Sequence, residues 1–110
     1  MKIIFERDGG FAGIRFSTIL NTDNMTVDEA NALQEMVRAA DFFNLPATMT
    51  MPKAYPDSFQ YTLEIEDADR KHTLKTTDMA LINASDALKR LISYLTTVAK
   101  QSGRDQRGDV

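Results

Sequence analysis

The sequence of 110 residues contains no cysteine, no tryptophan and a single histidine, His72. The lack of cysteine excludes disulfide bonds and thiolate chemistry, which agrees with a reducing compartment. One imidazole and no thiol cannot supply a zinc ligand set of the usual kind. We therefore expect no resident metal, no cofactor and no catalytic residue.

Long apolar runs and an excess of positive charge are also missing. No segment approaches the ~20 apolar residues of a membrane helix, and the N-terminus enters a strand pattern without the features of a signal peptide. The net charge of -3 weighs against a nucleic-acid partner. We expect a cytoplasmic protein with neither membrane nor nucleic-acid partners, and a monomer when free.

The hydrophobic pattern predicts an α+β single domain in the order ββαββα, with a four-stranded, mainly antiparallel sheet and two helices that cover one face. The predicted strands are residues 2–7, 11–20, 58–66 and 71–77, and the second is joined to the first as a hairpin. The helices are expected from Thr26 to a stop at Asn44-Leu45-Pro46, and from about Asn83 or Ser85 to Ala99. Residues 1–100 would form the domain, and 101–110 a flexible tail.

Three of the five glycines lie between positions 9 and 13, in the run Gly9-Gly10-Phe11-Ala12-Gly13. Two adjacent glycines between strand-like runs indicate a hairpin turn. A two-residue turn does not need Gly13, which suggests a bulge or the close approach of another backbone. Phe11 is either an apolar anchor for a partner or a residue that folds back over the sheet.

Groups for catalysis are few. His72 occupies an alternating strand position, where a lone histidine is more often structural than catalytic. Asp8 precedes the glycines without a nearby partner for acid–base work. Four acidic residues near a turn are better explained as a solvated face than as a cation site: Glu64, Glu66, Asp67 and Asp69. The residues favour a binding module, with an enzyme that uses Asp8 and His72 as a weaker hypothesis.

Four stretches together resemble one family, and the resemblance spans about residues 1–99. They are Met1-Lys2-Ile3 leading into Gly9-Gly10-Phe11-Ala12-Gly13-Ile14, then Phe42-Phe43-Asn44-Leu45-Pro46, Asp57-Ser58-Phe59-Gln60-Tyr61-Thr62, and His72-Thr73-Leu74. The pattern is similar to emfourin, the proteinaceous inhibitor of thermolysin-like metallopeptidases such as protealysin. The family pattern has serine before the two glycines, where this chain has Asp8, so the resemblance assigns that side chain no role.

The resemblance implies an intracellular bacterial protein that binds a zinc peptidase noncovalently, occludes its cleft and needs no cofactor. The inhibitory loop would comprise Asp8, Gly9, Gly10, Phe11, Ala12 and Gly13, in which the glycines avoid clashes with the cleft walls. A second contact would come from the proline-bearing loop before the next strand, at Tyr55, Pro56, Asp57 and Ser58.

A different class of function is compatible with the same residues. The chain could be a non-enzymatic regulatory or assembly module that pairs through its sheet edge or dimerises. An inhibition assay against a thermolysin-like peptidase separates the first hypothesis from this one, and size-exclusion chromatography tests dimerisation.

Overall fold

The computed structural model describes residues 1–9, 15–49 and 58–108, with residues 102–108 described by their backbone alone. The strands are β1 (Lys2–Gly9), β2 (Phe16–Asn21), β3 (Thr48–Met49), β4 (Phe59–Asp67) and β5 (Arg70–Thr77). The α-helices are α1 (Val27–Ala39), α2 (Asp78–Leu81) and α3 (Asp86–Gly108), and short 3-10 helices occupy Thr22–Asn24 and Phe42–Asn44.

The strands form one sheet in the order β2-β1-β4-β5-β3. The neighbours β2-β1, β1-β4 and β4-β5 are antiparallel, while β3 pairs with β5 in parallel through two residues. The inner strand β1 aligns Phe5 with Thr18 of β2 on one side and with Leu63 of β4 on the other. Because side chains alternate along a strand, this register assigns each position to one face of the sheet.

The core lies between one face of the sheet and the helices α1 and α3. Ile3 and Phe5 of β1 are fully buried there, as the alternation predicted, and α3 packs across β2 and against α1. The described core residues are Ile3, Phe5, Leu33, Val37, Ala40, Phe42, Tyr61, Leu63, Ile65, Leu74, Leu81, Leu88, Leu91, Ile92, Leu95 and Ala99. The prediction of helices covering one face is confirmed for these elements.

Short polar residues set where the helices begin. The Thr26 hydroxyl accepts a hydrogen bond from the Glu29 amide at 3.2 Å, so α1 starts where the sequence predicted. Ser85 does the same for α3, since its hydroxyl accepts from the Leu88 amide at 3.1 Å. Asp41, which precedes the second 3-10 helix, has a left-handed φ of 52° but makes no capping hydrogen bond through its side chain.

The α+β class is confirmed, but the predicted strand count and element order are wrong. The described residues contain five strands, in the order ββαβββαα with the helices. The extra strand, β3, is too short for a visible alternation and is fixed by its parallel pairing with β5. The expected apolar link at 79–82 is largely the helix α2, which Thr77 caps through the Ala80 amide.

The first hairpin also differs from the simplest prediction. A two-residue turn at Gly9-Gly10 would align Arg7 with Ala12, whereas Arg7 is aligned with Phe16. The connection is therefore longer than two residues. At the other end of the chain, the backbone of α3 is helical as far as Gly108. The flexibility expected for residues 101–110 stays a prediction.

Candidate partner-binding site

Two connections that the sequence singled out leave the sheet at the same edge. Because β1 and β5 run opposite to β4, and β3 runs parallel to β5, the ends of three strands meet the starts of two others there. We call this side of the sheet, where strands end and begin, the loop edge; it is not an edge strand. The residues at its strand ends are Gly9, Phe16, Met49, Phe59 and Thr77. Of the predicted site residues, Gly10, Phe11, Ala12, Gly13, Tyr55, Pro56 and Asp57 lie outside the described residues.

The ends of the two predicted segments touch backbone to backbone. Gly9 is aligned with Phe59 across β1 and β4, and its φ is +88°, a left-handed value that favours glycine. A Cβ added at Gly9 would lie 2.6 Å from the carbonyl oxygen of Ser58. The sequence suggested a close backbone approach at Gly13, and the structure has one at Gly9. Two of the predicted site residues, Gly9 and Ser58, are thus direct neighbours.

Arg7 lies on the helix-facing side of β1, beneath the loop edge. It follows Ile3 and Phe5 at alternate positions and is only 8% exposed. Its guanidinium carbon is 4.2 Å from the ring centroid of Phe59 and 5.0 Å from that of Phe16. The two rings begin β4 and β2, so one buried cation contacts the first residue of both strands that flank β1.

Tyr61 extends this cluster towards the core. It is aligned with Arg7 across the strands, and its ring stacks on Phe5 with the centroids 6.0 Å apart. Burial raises the pKa of the Tyr61 hydroxyl, and the neighbouring charge of Arg7 offsets part of that rise. The hydroxyl therefore stays protonated at neutral pH.

The opposite face of the hairpin carries exposed charges. Arg15 lies 3.7 Å from the Glu6 carboxylate and 3.8 Å from that of Asp8, and its side chain is largely exposed. Both carboxylates are on the face of the sheet that carries no helix. Asp8 thus has a cationic partner that the sequence had not suggested, and such exposed pairs contribute little to stability.

A family comparison adds to this geometry. The family model Emfourin matches residues 5–96, which is most of the chain and includes every strand of the sheet except the start of β1. The chain belongs to the Emfourin family. No curated protein and no solved structure matches it significantly. The resemblance noted from the four sequence stretches is confirmed.

Emfourin is a family of protease inhibitors, so membership implies a peptidase as partner and agrees with a chain that is not an enzyme. The structure separates the two residues of the enzyme hypothesis. His72 is on β5 aligned with Ile65, faces the helices and packs edge-on against Phe42 at 5.2 Å. Asp8 is at the loop edge on the other face, so the two cannot act on one substrate group.

The described part of this Emfourin member holds few groups that could form a metal site. No group of three or more potential metal ligands occurs among those residues. Glu64, which the sequence grouped with other acids, instead accepts a hydrogen bond from Thr73 at 3.2 Å. None of the helices described is long and apolar enough to cross a membrane.

The sequence reasoning missed Arg7, Phe16 and Phe59 as members of the site. A usable signal was present, because Arg7 shares the parity of Ile3 and Phe5 and therefore had to face the helices. An arginine in a buried row needs a specific partner, since burial of a charge is costly. That rule would have directed attention to the aromatic residues at neighbouring strand ends.

Proposed function

We propose that the chain is a noncovalent inhibitor of a thermolysin-like zinc metallopeptidase, and that its loop edge occludes the active-site cleft. It would act in the cytoplasm. The observation that carries this proposal is the contact between Gly9 and Ser58, which joins the ends of both segments expected to bind the partner. Membership of an inhibitor family supports the activity itself.

The anchoring of those segments fits the demands of a cleft binder. An inhibitor gains affinity when its contact segments are ordered before binding, because less conformational entropy is lost in the complex. At the loop edge, Gly9 of the first segment pairs with Phe59 in the β1-β4 ladder, and Ser58, the last residue of the second segment, directly precedes that pair. On the core side, Arg7 of β1 contacts the ring of Phe16 in β2 and the ring of Phe59 in β4.

Titration of peptidase activity tests the proposal directly. Purified chain added to a thermolysin-like peptidase should abolish cleavage of a fluorogenic peptide at near-stoichiometric ratio, and activity should return on dilution with the chain intact. A small zinc-directed hydroxamate should compete with it, because both would occupy the cleft. Full peptidase activity at large molar excess, across several such enzymes, would contradict the proposal.

A pair of matched variants tests the assigned surface. Phe11→Ala should fold like the parent and weaken inhibition by about thirtyfold (~2 kcal/mol), as for a binding hot spot. Ile19→Ala is the control, since Ile19 is an apolar residue of the same hairpin that is 65% exposed on the face without helices. If Phe11→Ala instead loses ~3–5 kcal/mol of folding stability, Phe11 belongs to the core.

Assembly through the edge strand β2 is a second candidate function, and one observation favours it. Within the described residues β2 pairs only with β1, so its outer side offers unpaired backbone groups next to the exposed Ile19. Light scattering after size exclusion should then give a concentration-dependent dimer that Ile19→Lys abolishes. A monomer at all concentrations would exclude this function without affecting the inhibitor proposal.

A further inference from the structure

Arg7 is unusual among the residues that the structure describes, because it is the only charged side chain that is buried. Its Nε atom is buried and has no hydrogen-bond partner. A buried charge is costly even with good partners, and an apolar side chain of similar volume often gives equal or greater stability. The contribution of Arg7 should therefore be sought in something other than folding stability.

The position of the guanidinium suggests what that contribution is. β2 and β4 lie on opposite sides of β1, and the guanidinium contacts the first aromatic ring of each, at 5.0 Å in Phe16 and 4.2 Å in Phe59. A guanidinium is planar and rigid and stacks on ring faces, whereas an aliphatic chain packs in many conformations. Arg7 can thus hold two rings of different strands in one relative arrangement.

The same rings lie next to the backbone contact at the loop edge. Phe59 follows Ser58 directly and is aligned with Gly9, so a shift of the Phe59 ring would move the carbonyl that Gly9 approaches. Phe16 begins β2, where the chain returns from the first predicted segment. The arrangement around Arg7 therefore fixes where both connections meet the sheet.

We propose that Arg7 is a positioning residue that sets the relative placement of the two partner-binding connections by stacking on Phe16 and Phe59. The proposal rests on the inhibitor function proposed above for its effect on affinity, but its structural part does not. Removal of the guanidinium should leave the fold intact and loosen the contact between Gly9 and Ser58. Inhibition should weaken because Gly9 and Ser58, at the described ends of the two connections, would no longer be held in one arrangement before binding.

The test compares Arg7→Met and Arg7→Lys with Arg70→Met in the full-length chain. Arg70 is a matched control, because its guanidinium carbon also lies 4.2 Å from a phenylalanine ring, that of Phe43, at the opposite edge of the sheet. Thermal unfolding, inhibition of a thermolysin-like peptidase and the nuclear Overhauser contact between Gly9 and Ser58 are measured for each. The last readout reports position and not stability.

Arg7→Met should unfold at or above the parent temperature, inhibit at least tenfold more weakly through faster dissociation, and show a weaker Gly9–Ser58 contact. Arg7→Lys, which keeps the charge but not the planar group, should recover part of the inhibition. Arg70→Met should stay within threefold of the parent. Parent-like inhibition and an unchanged Gly9–Ser58 contact in Arg7→Met would overturn the proposal.

Two further outcomes are decided by the same design. If Arg7→Met does not fold, Phe16→Leu and Phe59→Leu remove the stacked rings instead. Parent behaviour in both of these variants would then overturn the proposal. If the parent inhibits no peptidase, the proposed function fails, and the Gly9–Ser58 contact alone decides: its persistence in Arg7→Met overturns the positioning role, and its loss supports it.

Discussion

An arginine lies over a phenylalanine ring at each edge of the sheet, with the same distance of 4.2 Å from guanidinium carbon to ring centroid. At the loop edge Arg7 is buried against Phe59, whereas Arg70 is 61% exposed over Phe43 and lies 3.7 Å from Asp67. Cation–π contacts contribute ~0.5–1 kcal/mol when exposed and ~2 kcal/mol or more when desolvated. The attraction between cation and ring is therefore stronger at Arg7 than at Arg70. The cost of burying the Arg7 charge offsets this gain, so the stronger contact does not imply a larger free energy of unfolding.

The strand β1 changes character between the same two edges. We call the edge that holds the Ala68-Asp69 turn between β4 and β5 the turn edge. Near it β1 presents the fully buried Ile3, while near the loop edge it presents a charge at Arg7 and a glycine at Gly9. The turn-edge half of the strand maximises apolar burial. In the loop-edge half, a buried charge and a glycine replace apolar side chains, and the backbone approaches Ser58 closely. This arrangement suits a binding site more than a core.

The largest expected effect on stability is at the turn edge. Ile3→Ala should lower the free energy of unfolding by ~2–5 kcal/mol, because it opens a cavity among fully buried neighbours such as Ile65. Inhibition per folded molecule should not change, since the site lies at the opposite edge. Urea denaturation and an active-site titration on one sample check both parts. A loss of affinity in the folded fraction would break the division between the two edges.

Gly9→Ala should have a smaller effect on stability and a larger effect on inhibition. A left-handed non-glycine residue costs ~1–3 kcal/mol, and the new Cβ would meet the Ser58 carbonyl oxygen at 2.6 Å. The matched control is Ala68→Gly, because Ala68 has a φ of 55° at the turn edge. That exchange relieves strain and should raise stability by ~0.5–1 kcal/mol.

Inhibition distinguishes the two exchanges further. Gly9→Ala should weaken it at least tenfold, whereas Ala68→Gly should inhibit like the parent. Equal inhibition by both variants would mean that the backbone contact at the loop edge serves folding only. Denaturation midpoints and inhibition constants of the two proteins give the comparison.

Tyr61→Phe should change how the free energy of unfolding depends on pH at alkaline pH. Because burial raises the pKa of Tyr61, the folded chain keeps its phenolic proton more tightly than the unfolded chain does. This contribution is fully present below pH ~10, the usual tyrosine pKa, and is lost as the pH rises through the folded value. Parent stability should therefore fall more steeply than that of Tyr61→Phe above pH ~10, as measured by urea denaturation. Parallel pH profiles would show that the Tyr61 environment does not oppose ionisation.

The parts of the fold that the sequence predicted are those with a repeating burial pattern. Phe59, Tyr61, Leu63 and Ile65 alternate over a full strand, and the apolar positions of α1 and α3 recur at helical spacing. The two-residue strand β3 and the four-residue helix α2 contain too few repeats for such a pattern. Their placement depends on pairing and capping partners distant from, or just outside, the element.

The candidate site was only partly predictable for a related reason. Its glycines mark unusual backbone positions locally, so Gly9 was found, while Arg7 acts through residues that are close only in the folded chain. Phe16 and Phe59 are 43 residues apart in sequence numbering and contact the same guanidinium because β1 lies between their strands. Sequence patterns along one segment do not contain that information.

The smallest effect is expected from the end of the chain. Deletion of residues 103–110 should leave the inhibition constant within about threefold, although the backbone of α3 is helical to Gly108. Ala99 is the last buried residue of α3 in the part whose side chains are described, so the docked portion of the helix is retained in the shortened chain. Isolated helical turns are marginal in water, so the removed residues should contribute little to the free energy of unfolding. Thermal unfolding of the shortened chain should match the parent within a few degrees, and a much larger loss of affinity would extend the binding surface beyond the loop edge.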